Sequence, residues 1–390
     1  MIPYGKQSIR EEDIEAVVEV LRSDFLTQGP AVPAFERAMC EYCGAGFGVA
    51  VSSATAALHL AYLALGLQPG LELWTSPITF VATANAALYC GARVDFVDVE
   101  SDSGLMSVDA LEAKLNAHRN EGKPLPHIVA PVHLAGLSCD MIGIHRLAQE
   151  FGFRVVEDAS HAIGATFQDH RVGSCTYSDI SVFSFHPVKI MTTGEGGMAL
   201  TNSAELADSM SLLRSHGITR QSDQMLFPSE GGWYYEQIEL GFNYRMTDIQ
   251  AALGLSQLSR VNNYVARRNE LAKRFDSALA NLSIGLPVRF SGRRSAFHLY
   301  SIRLQDAASR SELFHYLRQN GIGVQVHYIP VVHQPYYRDL GFRPEEFPQS
   351  MKYYHSTISL PLFPDLLEGE QDKVSDLVKV GLGLAGSSNI

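Results

Sequence analysis

From about residue 49 to residue 200, short apolar runs alternate with stretches of helical period, the pattern expected of β-α units wound around a mainly parallel sheet. The runs predict strands over 48–51, 94–99, 128–132, 153–157 and 180–185, with helices over 108–118 and 141–151 between them. In such sheets ligands collect beyond the carboxyl ends of the strands. Residues 218–240 are polar, glycine-containing and weakly periodic, and read as a lid or an interface arm. A helix follows, beginning near Thr247 with Asp248 in its first turn, and a helical pattern over 253–271 leads on. Further strands are expected at 298–304 and 323–328. The pattern divides the chain into a large α/β domain over 1–250 and a smaller α/β domain over 251–390, with no repeats and no low-complexity tract.

Composition narrows the class without changing this picture. With 46% hydrophobic and 19% charged residues, no tract is poor enough in apolar residues to stay unfolded. A net charge of −11 and the lack of a Lys/Arg-rich block leave no electrostatic footprint for nucleic acid or an anionic membrane, so any phosphate must be held locally. Residues 1–13 are charged rather than signal-like, and the apolar stretch 49–67 is interrupted by Ser52, Ser53, Thr55 and His59. A soluble cytoplasmic protein is the expectation. Five cysteines form no evident disulfide framework. Cys40 and Cys43 have redox spacing, but they sit at the end of a helix that Gly44 stops, where the dipole raises a thiol pKa. A structural role is favoured.

The candidate chemistry lies at two neighbouring strand ends. Asp158 closes the run Phe153-Arg154-Val155-Val156-Glu157, which delivers a carboxylate to the edge of a cleft, although alone it fits a helix cap equally well. The run Ile180–Phe185 is followed at once by His186-Pro187-Val188-Lys189 and then the glycine-rich Gly194-Glu195-Gly196-Gly197. An exposed lysine has a pKa near ~10.4, and desolvation in such a turn lowers it until the neutral amine can form an imine. A carboxylate beside it has a use if the imine is made with pyridoxal phosphate, whose ring nitrogen must stay protonated. Small residues from Ser52 to Leu58, between a strand and a helix, supply an anion site or an ordinary cap. Phe80 offers a flat face to a ring or packs in the core. Gly44-Ala45-Gly46-Phe47-Gly48 follows a helix and precedes a strand, the wrong context for a dinucleotide fingerprint, and no His/Cys spacing points to a metal.

Almost end to end, these motifs resemble the DegT/DnrJ/EryC1/StrS sugar aminotransferases. The resemblance is carried by Leu26-Thr27-Gln28-Gly29, Ser53-Ala54-Thr55, Thr79-Phe80-Val81-Ala82-Thr83, Glu157-Asp158-Ala159-Ser160-His161, Ser184-Phe185-His186-Pro187-Val188-Lys189, Gly194-Glu195-Gly196-Gly197 and Gly241-Phe242-Asn243-Tyr244-Arg245-Met246. It implies the aspartate-aminotransferase fold, fold type I of the pyridoxal-phosphate enzymes, with a seven-stranded sheet in the large cofactor-binding domain. It also implies Lys189 as Schiff base and proton shuttle, Asp158 on the ring nitrogen and Phe80 stacked on the ring. Ala54, Thr55 and Ser184 would hold the phosphate, and Asn243 would reach the neighbouring subunit's phosphate in a homodimer with shared active sites. His161 stands where many members have glutamine, near the cofactor's phenolic oxygen, and alone it also fits a satisfied core histidine. Arg220, Arg245, His327 and Tyr328 are candidates for the substrate cleft, although Arg220 reads more readily as a solvated surface charge. Within the family the chain is most similar to the branch of pseudaminic acid biosynthesis, which aminates a UDP-linked 4-keto-6-deoxy-N-acetylhexosamine with glutamate. Members that deoxygenate sugars carry histidine in place of the lysine, so the presence of Lys189 disfavours that activity. Two alternatives remain at this point: another nucleotide-linked ketosugar as substrate, and a non-catalytic cofactor-binding regulator.

Overall fold

The computed structural model describes residues 1–387. Its centre is a sheet of seven strands: β1 (Phe47–Val51), β2 (Glu72–Thr75), β3 (Arg93–Phe96), β4 (Ile128–Ala130), β5 (Arg154–Asp158), β6 (Ile180–Ser184) and β7 (Gly197–Thr201). In space the order is β1-β7-β6-β5-β4-β2-β3, and all run parallel except β7, which is antiparallel to both neighbours. Every residue of β4, β6 and β7 is buried, so these strands read as unbroken apolar runs rather than alternating ones. Successive side chains nevertheless pack on opposite faces of the sheet. Val49, Val51, Val182 and Ala199 pack with the helix Ala54–Ala64 on one face, while Ala50, Phe183, Met198 and Leu200 meet Phe35 and Met39 on the other.

The central strands and the helices Val108–Glu121 and Met141–Phe151 lie where the periodicity places them. Neither β2 nor β7 follows from the pattern. β2 is four residues long and opens on Glu72, whose carboxylate accepts from Trp74 Nε1 at 2.8 Å; β7 begins inside the glycine-rich run. The stretch 253–271 is not one helix. A helix Asp248–Leu258, capped by Thr247 with Gln250 reaching back, ends before a second begins at Val261. The expected strand over 323–328 forms no ladder: Gly323 donates to the Ile2 carbonyl, Gln325 bridges Ser359, and residues 325–328 wall a cavity. Residues 218–240 are a folded excursion rather than an open one. Ile218–Thr219 pairs with Glu236–Gln237, and the Glu236 carboxylate accepts from the amides of Leu226 and Phe227 and from the Tyr234 hydroxyl.

A second core forms where β8 (Tyr300–Arg303) pairs antiparallel with β9 (Thr357–Leu360) under the helices Ala307–Gln319 and Glu368–Ser387. Ile2 joins it, bridged to Ile322. The helix Val261–Leu279 serves both cores: Val261, Tyr264 and Val265 pack with the large sheet, and Leu271, Phe275 and Leu279 with the second core. Between them Arg268 is fully buried and donates to the carbonyls of Phe297, His298 and Leu362. The helix Ala31–Cys43 stops at Gly44 in the left-handed conformation (φ 80°), and burial, with Glu36 and Glu41 adding, pushes the Cys40 thiol up to about 11. Among the described residues no helix is long and apolar enough to cross a membrane.

Candidate active site

The carboxyl ends of β1, β5 and β6 open into one cavity of about 980 Å³, closed on its far side by residues 325–329 and by His298. Ala54, Thr55, Phe80, Asp158, His161, Ser184, Lys189, His327 and Tyr328 all line it. Residues separated by more than two hundred positions are thus brought together by the sheet order. Arg220, Arg245 and Asn243 are not among the lining residues of this chain. Arg220 is exposed and lies over the Tyr235 ring at 5.7 Å, Asn243 is exposed and bridges Ser215, and Arg245 bridges Val51.

At the β1 corner, Ser53 caps the helix Ala54–Ala64 by accepting from the Ala56 amide at 3.2 Å. The N–H groups of Ala54 and Thr55 occupy the first turn, where a helix supplies no acceptor, and no acidic residue stands in that turn. Ser184 ends β6 beside them, with Gly197 directly opposite in register. A Cβ at Gly197 would lie 2.5 Å from the Ala54 nitrogen, so glycine is what allows the strand to touch the helix start. This cradle of free amides, hydroxyls and a helix dipole suits a phosphate.

Asp158 is only 6% exposed, and its carboxylate is fixed by Thr83 Oγ1, which donates at 2.6 Å, and by the Ser160 amide at 3.2 Å. Thr79 completes the chain with a hydroxyl contact to Thr83 at 2.8 Å. Lys189 sits in the turn after β6, where its amide donates to His186, and Thr192 and Thr193 both tie the following loop to the Phe185 carbonyl. Among the described residues its amine has no hydrogen-bond or ion-pair partner. Burial lowers its pKa to about 8, against the opposing pull of Asp158. Roughly one amine in ten is then neutral at pH 7, about two hundred times the fraction for an exposed lysine. Phe80 is 59% exposed, with its ring 6.2 Å from that of Tyr328, so it belongs to the cavity wall and not to the core.

Three histidines surround the amine. His161 is buried, with Nδ1 3.3 Å from the Ala135 amide and Nε2 3.1 Å from the Tyr328 hydroxyl. Its ring lies 4.3 Å from that of His298 at a tilt of 45°, and the His298 Nδ1 is buried without a partner among the described residues. His327 is held by the Ser359 hydroxyl at 2.9 Å, and burial together with the Lys189 charge lowers it to about 3. His161 and His298 are lowered well below the ordinary histidine range, first by burial. All three are therefore neutral at pH 7. Thr83, Glu195 and His298 line or support the site although the sequence assigns them no individual role. For Thr83 the available signal was its place one turn after Phe80 in a helix start; for His298 it was a polar residue opening an apolar strand.

The family profile of the DegT/DnrJ/EryC1/StrS aminotransferases matches residues 7–379. The spore coat polysaccharide biosynthesis protein SpsC of Bacillus subtilis is 38% identical over 97% of this chain and 96% of its own. A Campylobacter jejuni UDP-4-amino-4,6-dideoxy-N-acetyl-beta-L-altrosamine transaminase is 36% identical over 99% of this chain and 100% of its own. Among solved structures, Helicobacter pylori PseC, an aminotransferase involved in the biosynthesis of pseudoaminic acid, superposes with a TM-score of 0.90 at 31% identity, covering 98% of this chain and 99% of that one. With the profile, the relatives and the site all in agreement, the chain belongs to the DegT/DnrJ/EryC1/StrS aminotransferase family.

Proposed function

We propose that this chain is a pyridoxal-phosphate-dependent nucleotide-sugar aminotransferase of the cytoplasm that moves the amino group of glutamate to a UDP-linked 4-keto-6-deoxy-N-acetylhexosamine, as in pseudaminic acid biosynthesis. The observation that carries the reading is the unpaired Lys189 amine, lowered to about 8, in one cavity with a fixed Asp158 carboxylate and a helix start free of acids. The substrate class is supported by the names of the Campylobacter and Helicobacter relatives.

In this reading Ala54 and Thr55 offer their amides, and Ser184 its hydroxyl, to the cofactor phosphate. Phe80 would cover one face of the ring. Asp158, held by Thr83 and Ser160, would keep the ring nitrogen protonated, and His161 would stand toward the phenolic oxygen. The bound cofactor supplies an electron sink for the bond broken at the carbon that carries the amine. Lys189 would hold the cofactor through its amine, and as a neutral amine it would be the group that carries a proton at the reacting carbon. Its position after β6, in a turn pinned by Thr192 and Thr193, keeps that amine over the site. His327 and Tyr328 wall the sugar side.

Among the described residues no arginine lines the cavity and Lys189 is its one lysine, whereas a UDP-sugar brings two phosphates and glutamate two carboxylates. We assign the missing cations and the Asn243 side chain to a second copy of the chain, so the working unit is a homodimer with shared sites. Arg220 and Arg245, outside the lining of their own chain, are the arginines offered. The test is a panel of nucleotide-linked ketosugars with labelled glutamate. The UDP-linked 4-keto-6-deoxy-N-acetylhexosamine should yield its amino sugar and 2-oxoglutarate, and removing the nucleotide should abolish most of the activity. Turnover of small keto acids alone would assign a different aminotransferase class, and a bound cofactor that glutamate never alters would mark a silent binder.

A further inference from the structure

His161 is expected from its motif to meet the cofactor directly, yet both of its ring nitrogens are already engaged by the protein. Nδ1 faces the Ala135 amide at 3.3 Å, and an amide N–H only donates, so Nδ1 carries the lone pair. That amide is fixed by the fold: Ala135 is left-handed (φ 59°), its carbonyl accepts from Leu299, and the adjoining Gly136 carbonyl accepts from Ala296. With the ring neutral, its single proton lies on Nε2, which faces the Tyr328 oxygen at 3.1 Å. The tyrosine oxygen is therefore the acceptor in that contact. Its own proton is left over. Burial, with Asp158 and two other tyrosines adding, raises the Tyr328 pKa, so the phenol stays protonated. Among the described residues no acceptor takes that proton, and Tyr328 lines the cavity beside Phe80.

We propose that His161 is a positioning residue whose tautomer, imposed by the Ala135 amide, presets the Tyr328 hydroxyl as a hydrogen-bond donor aimed at a ligand oxygen in the cavity. A tyrosine alone is ambivalent, since its hydroxyl both donates and accepts. By filling the accepting side, His161 removes the choice, so the donor needs no reorganisation when charge develops on the ligand. The oxygen is electron-rich and has two sources here: the phenolic oxygen of the cofactor, or the keto oxygen of the sugar, which departs as water and needs a proton. The proposal rests on the aminotransferase reading for the identity of that oxygen, and not for the tautomer.

The tautomer is measured first, in full-length protein labelled with nitrogen-15 histidine. At neutral pH the His161 signals, identified by their loss in His161→Phe, should show a proton on Nε2 alone, and Tyr328→Phe should move the Nε2 signal while leaving Nδ1 in place. A proton on Nδ1, or a cationic ring, overturns the proposal whatever the enzyme does. Turnover comes next. His161→Phe and Tyr328→Phe should each lose about 10²-fold, as for removal of one preorganised donor, and the double variant no more than the worse single one. His161→Gln, whose amide donates to the same hydroxyl, should recover most of the rate. Losses that multiply in the double variant give the residues independent roles and overturn the coupling. The two oxygens separate by absorbance. A shifted pH midpoint of the bound cofactor in Tyr328→Phe assigns the phenolic oxygen; an unmoved midpoint, with only the sugar half-reaction slowed, assigns the keto oxygen. Neither effect in Tyr328→Phe overturns the donor role. Failure of glutamate to react at all sinks the aminotransferase reading and leaves the tautomer result standing.

Discussion

Asp158 acts on Lys189 through charge before any ligand arrives. Burial lowers the lysine and Asp158 opposes the fall, so the amine rests at about 8. Only the neutral amine attacks an aldehyde. Capture of pyridoxal phosphate by protein stripped of cofactor should therefore accelerate as pH rises through about 8 and level off above it. Asp158→Asn removes the one cause that raises the pKa, so the midpoint should move below about 8 and capture at pH 7 should become faster. Turnover should meanwhile fall by about 10²–10³-fold, as for loss of one preorganised charge; a wild-type rate would leave Asp158 as a cap and nothing more. Lys189→Ala should retain the fold and lose at least about 10²–10⁴-fold in transamination, the share of acid–base catalysis alone. Borohydride should fix the cofactor to the peptide containing Lys189 in the parent protein, and label on another lysine would refute the assignment. Both residues were legible from a local signal, Asp158 closing a buried run and Lys189 lying in the turn that follows the next one. Thr83 was not, since its bond to Asp158 spans 75 positions and its own neighbourhood is an ordinary helix start. Phe80 left core and cavity open until its exposure decided between them.

Elements fix the site through a few close approaches. The strand β7 touches the start of the helix Ala54–Ala64 at Gly197, where a Cβ would meet the Ala54 nitrogen at 2.5 Å and the Ser53 carbonyl at 2.6 Å. These are backbone atoms that cannot swing aside. Gly197→Ala should cost about 3 kcal/mol of stability, at the upper end for overpacking a fitted site, and should weaken cofactor binding in parallel because the displaced peptide begins the phosphate cradle. Urea midpoints and the cofactor dissociation constant measure the two effects. An unchanged dissociation constant would separate the cradle from this contact. From sequence, β4 and β6 are legible as short apolar runs bounded by turns, and the helix at Thr247 by its cap. β7 is hidden because its first residue is the glycine that makes the contact, and glycine reads as loop. The 323–328 segment misleads in the opposite sense: its residues have the composition of a strand, but Gln325 to Tyr328 spend their side chains on the cavity.

At the scale of the molecule, two cores are tied by one helix, and Arg268 at its middle holds the backbone of Phe297 and His298 against Leu362. The alternation of strand and helix patterns revealed the α/β class. It could not reveal that Ile2 packs in the second core, because a single residue at the chain start carries no period. The excursion 218–240 shows a similar limit. Read as polar, it turns out to be pinned by Glu236 while presenting Leu226, Phe227, Trp233 and Leu240 to solvent, with Trp233 73% and Leu240 79% exposed. Large apolar side chains held outward by a folded loop are expected to meet another surface, and Asn243 and Arg245 lie just beyond it in sequence. The proposed dimer has a direct test in mixing two inactive variants, Lys189→Ala and Asn243→Ala. If each site takes its lysine from one chain and its asparagine from the other, a hybrid dimer holds one site with both lesions and one with neither. Random exchange makes about half the dimers hybrid, each with one of two sites intact, so activity should return to about a quarter of the parent value. Both variants being inactive alone, any such recovery comes from a site built across the two chains. Complete subunit exchange with no recovery would mean that the lysine and the asparagine of each site come from one chain, and would refute the assignment of Asn243 to its neighbour's cavity.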